Sequence, residues 1–164
     1  MDIKVRTMTS KDWEAVADIY RQGILTGNAT FQSDVGTYEE WDKGHLLLGR
    51  IVADVNEEIA GWGALSKVSE RCVYGGVAEV SVYIHSNYQN LGIGTMILDQ
   101  LVSLSESGGV WTLQAGIFPE NIASIKLHEK LGFRIVGTRE KMGQMKGVWR
   151  DVVLLERRSK LVGF

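Results

Sequence analysis

Residues 77–94, VAEVSVYIHSNYQNLGIG, restrict the possible folds more than any other stretch of the chain. The first eight are mostly apolar and β-branched, as in a strand. From Ile93 onward, Ile93, Met96, Ile97, Leu101 and Leu104 recur at helical spacing. The chain therefore passes from strand to helix through a short polar loop holding Gly92 and Gly94. Such a corner aims several unpaired backbone N–H groups at one spot, where the positive end of the helix dipole reinforces them. It is an anion site, best suited to phosphate, and the glycines let a ligand approach the main chain closely. Two familiar phosphate loops do not fit. A dinucleotide fingerprint needs a third glycine where Ile97 stands, and a P-loop needs a Gly-Lys-Ser/Thr that does not follow.

The flanking segments set the context of this corner. DIKVRTM alternates as a strand, and Thr9 or Ser10 caps a helix on which Trp13, Val16, Ala17, Tyr20 and Ile24 share a face. TGNATFQSD is loop, and Thr37 with Glu40 forms a capping box that starts a second helix. RIVADVNEEIAGWGALS reads as a hairpin turning at Asn56–Glu57. Gly108 and Gly109 stop the helix that follows the glycine loop. VWTLQAGIF is then a buried strand, NIASIKLHEKL a helix ended by Gly132, and two strands around MKGVW complete the chain. The order βααβββαβαββ mixes antiparallel meanders with crossover helices. The expected class is α+β with a mixed sheet, in one domain over residues 1–164.

Composition removes several function classes. A net charge of −2 and a pI near 5.9 argue against a sequence-independent grip on nucleic acid. The closing ERRSKLVGF reads as a solvated tail. Cys72 has no disulfide partner in the chain and is expected to be a small buried residue. No apolar run reaches the length of a signal peptide or a membrane span, so a cytoplasmic protein without membrane contact is expected. His45 and His85 lack metal-ligand spacing with any partner, so no metal is expected.

The pattern Gln89-x-x-Gly92-x-Gly94, directly after SVYI, resembles the acetyl-CoA signature of the GNAT family of N-acyltransferases. Thirty residues on, NIASIKLHEKLGF resembles that family's second element. ATFQSDVGTYEEW, AEVSVYI and GVWRDV are similar to the phosphinothricin acetyltransferase-like subgroup, whose members acetylate the free amine of small amino-acid-like compounds. The resemblance covers essentially the whole chain. It implies the GNAT fold, a mostly antiparallel sheet splayed between two parallel strands with helices on both faces, and acetyl-CoA as acyl donor. It also implies a homodimer in which the partner's C-terminal strands border the site.

Residue roles carry over from the same resemblance. The coenzyme diphosphate would lie on the amides of Gln89, Asn90, Leu91, Gly92, Ile93, Gly94 and Thr95. The pantetheine arm would bond to the backbone of Val82, Tyr83 and Ile84, like an added strand. Asn121 would hold the arm from the far side, or cap its own helix, or both. Lys130, with Lys126, could reach outer phosphates or simply be solvated. Glu79 matches the subgroup's general base, against the alternative of an ion-paired carboxylate at a strand end. His128 stands where the family places an acid for the departing sulfur, although an amphipathic helix often buries such a histidine in the core. Phe31 and Tyr74 would wall the acceptor pocket, and Arg71 would grip a substrate carboxylate. The chain departs from the subgroup at Ser69, Gly75 and Cys72, where a second arginine, a basic or polar residue and a proline are usual. The expected reaction is transfer of acetyl to a small amino-acid-like amine. Alternatives are another amine, such as a protein N-terminus or an aminoglycoside, or a non-catalytic acyl-CoA-binding module.

Overall fold

The computed structural model describes residues 1–164. Its strands are β1 (Ile3–Thr7), β2 (Ile51–Val55), β3 (Glu58–Lys67), β4 (Val77–Ile84), β5 (Thr112–Ile117), β6 (Arg134–Met145) and β7 (Val148–Arg158). Its helices are α1 (Trp13–Thr26), α2 (Tyr38–Gly44), α3 (Ile93–Ser107) and α4 (Ile122–Lys130). One seven-stranded sheet runs β1-β2-β3-β4-β5-β7-β6. Every neighbouring pair is antiparallel except β4–β5. The mixed α+β sheet read from the sequence is the sheet observed.

Local chemistry explains the turns. Asn56 and Glu57 both take positive φ, 51° and 71°, the geometry of the type I′ turn that matches strand twist. Lys146 and Gly147 repeat it between β6 and β7. Thr37 caps α2 by accepting a bond from the Glu40 amide at 3.2 Å. At the start of α1 the chain first makes a 3-10 turn over Ser10–Asp12. There Asp12 accepts from the Thr9 amide at 2.8 Å and from both arms of Arg6 at 2.9 Å.

Two apolar clusters cover the two faces of the sheet. The larger gathers Ile51, Ala53, Leu65, Val80, Leu113 and Leu155 under α3. The smaller sets Val16 and Ile19 of α1 and Trp41 of α2 against Val52, Trp62 and Ala64. The helix faces differ in detail from the periodicity. Ile19 rather than Ile24 fills the core side of α1. In α3, Leu98 and Val102 are buried while Met96 is 38% exposed, because a helix crossing a wide sheet buries a broader arc than one stripe. The helix lies close to β3 because Gly63 presents no side chain. A Cβ there would stand 2.6 Å from Ile97 Cγ2 and 3.0 Å from Leu101 Cδ1.

Three expectations fail. VWTLQAGIF is a strand only over 112–117, since Val110 closes the turn after α3 and Trp111 instead accepts from the Ser159 amide. The C-terminal segment is docked, not solvated. Arg158 donates to the carbonyls of Ser159, Val162 and Gly163, and the buried Ser159 hydroxyl donates to Glu106 at 2.5 Å. Cys72 is exposed, because it sits on a short 3-10 turn (Cys72–Tyr74) outside the sheet.

Candidate active site

The β4–β5 pair closes for only three residues, Val77–Thr112, Ala78–Leu113 and Glu79–Gln114. Beyond Glu79 the strands diverge into a wedge. The His85 amide bonds Ala60 O at 2.8 Å, so antiparallel alternation turns the main-chain groups of Tyr83 and Ser81 toward β3. Those of Val82 and Ile84 consequently face the open wedge. This half-sheet edge can take an extended ligand in place of a strand.

Past β4 the loop is stiffened from within. His85 Nδ1 accepts from the Asn87 amide at 3.0 Å, and Gln89 Nε2 donates back to Ile84 O at 2.9 Å. Asn90 (φ 61°) and Gly92 (φ 80°) then take left-handed geometry, which Gly92 adopts without steric cost. Met96 makes the first intrahelical bond, to Gly92 O. The amides of residues 89–95 donate to no acceptor in the chain. This is the N-terminal set that a helix cannot satisfy itself, extended backward by the loop. With the dipole of the 15-residue α3 behind them, these amides fit a diphosphate.

Loop and wedge border an open groove of about 790 Å3. Gln89, Asn90, Gly92, Ile93, Gly94, Thr95, Val82, Tyr83, Ile84 and Asn121 all line it, whereas Leu91 points outward and Lys130 lies elsewhere on α4. Asn121 does cap α4, accepting from the Ser124 amide at 3.3 Å. Its amide nitrogen also donates to Asn28 O at 3.3 Å, tying the loop after α1 to the groove wall.

A second cleft, of about 460 Å3, opens on the other side of the wedge. Val82, Tyr83, Asn121 and Ser124 border both cavities, so a ligand threaded along β4 from the loop ends beside the inner cleft. Glu79 is the only carboxylate lining this inner cleft. It accepts from Gln114 Nε2 at 3.2 Å and has no ion-pair partner. Phe31 lines it too, edge-on to Phe118 at 4.8 Å.

His128 also faces the inner cleft and is only 5% exposed. Its Nδ1 lies 2.7 Å from Ser124 O, which can only accept, so the proton sits on Nδ1 and Nε2 carries the free lone pair. Burial holds the imidazole below its usual value, and it rests neutral at pH 7. Burial acts in the same direction on His45, and it pushes the phenols of Tyr20 and Tyr83 up.

Arg71 and Tyr74 border neither cavity. The Arg71 guanidinium lies over the Tyr74 ring at 5.8 Å, on the exposed turn between β3 and β4. The cleft wall holds instead two residues of β6 that sequence patterning did not single out, Arg139 and Met142. The sequence places TREKMGQ only in one of the two closing strands around MKGVW, and nothing local announces that the strand bulges there.

The family model for acetyltransferases of the GNAT family matches residues 13–133. The chain belongs to the GNAT acetyltransferase family. It is 31% identical over 163 residues to the phosphinothricin N-acetyltransferase of Streptomyces viridochromogenes, covering 97% of this chain and 89% of that one. It is 27% identical over 157 residues to an L-methionine sulfoximine/L-methionine sulfone acetyltransferase of Salmonella typhimurium, covering 93% and 92%. The crystal structure of a GNAT phosphinothricin acetyltransferase from Sinorhizobium meliloti in complex with acetyl-CoA superposes with a TM-score of 0.86. That alignment has 26% identity and covers 96% of this chain and 89% of the other. This GNAT protein is an N-acetyltransferase and acetyl-CoA is its acyl donor. The free amides of the loop and the open edge of β4 fit the diphosphate and the extended arm of that donor.

Proposed function

We propose that the protein transfers acetyl from acetyl-CoA to the free amine of a small amino-acid-like substrate by direct attack, with Glu79 as general base. One observation carries this reading: the one carboxylate of the inner cleft stands at the vertex of the wedge, where a donor lying along β4 delivers its thioester. Relatives named for phosphinothricin and methionine sulfoximine support the acceptor class.

The acceptor arrives as an ammonium ion. Glu79 takes one proton and frees the nitrogen lone pair, which attacks the thioester carbonyl carbon. The adduct nitrogen still bears a surplus proton, and the developing oxyanion needs donors. Val82, whose amide faces the wedge, is placed to donate to that oxygen. His128 enters neutral, so its Nε2 accepts the surplus proton as the C–S bond breaks. It then returns that proton to the departing thiolate, whose parent thiol has a pKa of about 8.5. The amide product and free CoA leave, and the proton on Glu79 passes to solvent.

The same reading includes a homodimer. The β6–β7 ribbon leaves the apolar side chains of Val148 and Trp149, one on each of its faces, exposed at 60% and 56%. A monomer in sedimentation equilibrium would remove this part.

The catalytic assignment is tested with Glu79→Gln. Loss of a general base costs about 10²- to 10⁴-fold in turnover. Acetyl-CoA affinity by calorimetry should stay within about twofold, because Glu79 is absent from the outer groove. Equal loss of affinity and turnover would sink the assignment.

A further inference from the structure

The inner cleft has one cationic wall residue, Arg139, and no lysine. Of the nine arginines in the chain, Arg139 is the one without an intramolecular partner. The carboxylates of Asp12, Asp18, Asp42, Glu156, Glu120 and Glu106 take six of the others. Arg71 rests on Tyr74 and Arg158 is held by backbone carbonyls and Phe164.

The backbone supplies an independent reason for its place. Arg139 pairs with Val152, but the next pair is Gly143 with Arg150, so three residues of β6 oppose Asp151 alone. Lys141 takes φ 48° at this bulge and its amide donates to Asp151 Oδ1 at 2.8 Å. Residues 139 and 142 of a regular strand would face opposite sides of the sheet. The bulge removes that alternation, and both line the cleft. Arg139, exposed at the cleft wall, thus lines the same cleft as the Glu79 carboxylate, and the cleft holds one charge of each sign.

We propose that Arg139 determines acceptor specificity by binding an oxyanionic group of the substrate, while the substrate's amine meets Glu79. The proposal rests on the amino-acid reading of the acceptor given above. A zwitterion matches the cleft on both counts, with its ammonium toward Glu79 and a carboxylate in the fork of Arg139. The oxyanion can be the α-carboxylate or the terminal acidic group of the side chain, and the two are separable by experiment. Arg71, on its exposed turn, is then not the anchor within one protomer.

The test is steady-state thiol release by wild type, Arg139→Leu and Arg139→Lys. The acceptors are methionine sulfone, its α-carboxamide, glutamate and glutamine. Arg139→Leu should raise the KM for the acceptor that presents the recognised oxyanion by roughly 10- to 100-fold, the range for a charge-assisted pair. The KM for its neutral counterpart and the calorimetric acetyl-CoA affinity should stay within about twofold. A defect for methionine sulfone that vanishes with its carboxamide assigns the α-carboxylate. A defect for glutamate that exceeds that for glutamine assigns the side chain. Arg139→Lys should recover part of the loss, having the charge without the fork. Wild-type turnover of these amino acids with unchanged KM values in Arg139→Leu, or equal losses for charged and neutral acceptors, overturns the role of Arg139 alone. Wild type that binds acetyl-CoA but acetylates none of the amino acids overturns the acceptor class itself, and the role of Arg139 with it.

Discussion

Arg150 of β7 holds the loop that walls both cavities, and its removal should loosen that loop by a calculable amount. The side chain is 15% exposed. Nη1 donates to Gly27 O and Nη2 to Asn28 Oδ1, both at 2.9 Å, and the guanidinium stacks on Phe118 at 4.1 Å. Its third partner, Glu120 at 3.3 Å, is mostly exposed and adds about 1 kcal/mol at most. Hydrogen bonds from a charged donor contribute about 1.5–3 kcal/mol each, and the stacking contact about 1 kcal/mol. These do not add fully, and Arg150→Ala should weaken the loop attachment by about 3 kcal/mol, or two decades in its opening equilibrium. The amides of Asn28 and Gln32, bonded to Thr26 and Thr30 hydroxyls, report this opening. Hydrogen exchange over residues 26–32 should accelerate about 100-fold, with about half that free-energy loss in Arg150→Lys. Acceptor KM should rise with it, since residues 28–32 line the inner cleft. Unchanged exchange in the alanine variant would show that the loop is held by its own contacts and not by Arg150.

Two further outcomes follow from packing and charge. Gly63→Ala forces a methyl against the β-branched Ile97, which cannot rotate away, so a loss of about 1–3 kcal/mol and a Tm lower by roughly 2–10 °C are expected. Acetyl-CoA affinity should fall too if the free amides at the start of α3 hold the diphosphate as proposed; calorimetry with full affinity retained would contradict that coupling. Stability should also decline in acid in two stages. Below about pH 6.5 the unfolded chain protonates His45 and His128 while the folded chain, with both held lower, does not, so unfolding becomes easier as pH falls. The Asp12 carboxyl, lowered chiefly by its bonds to Arg6, contributes stability above about pH 3.8 that disappears as pH drops through its folded value. Urea midpoints at pH 7.5, 6, 5 and 3 report both stages, and a flat profile from 7.5 to 5 would contradict the burial assigned to the imidazoles.

What the sequence revealed was set by short-range chemistry. Asn56–Glu57, the Thr37–Glu40 cap and the Gly92–Gly94 corner each fix their own backbone through neighbours in the chain, and all three stand as read. Glu79 and His128 come from the resemblance to the GNAT family, with only Glu79 also standing out as a carboxylate in an apolar strand, and the fold brings both to one cleft. Features missed depend on distant partners. The docking of residues 158–164 needs Trp111 and Glu106, some fifty positions earlier. Cys72 was read as buried from its residue type, yet the fold leaves its turn outside the sheet. The bulge that brings both Arg139 and Met142 to the cleft wall depends on Asp151 of the adjacent strand, so residue alternation alone misplaces one of them.

The seating of α3 on β3 through Gly63 fixes one more quantity. Glu79 and the first amides of the helix belong to a single stiff unit, separated by the five residues Val80–Ile84, about 16 Å of strand, and then the loop. With the donor docked as proposed above, this unit acts as a caliper. A carrier with a shorter arm, gripped by the same phosphates, would leave its acyl group short of the reacting nitrogen, whereas one without a nucleotide end would have nothing to register its length against. Donor choice is in this sense a measurement of length made by the scaffold, before any chemistry of the acyl group is consulted.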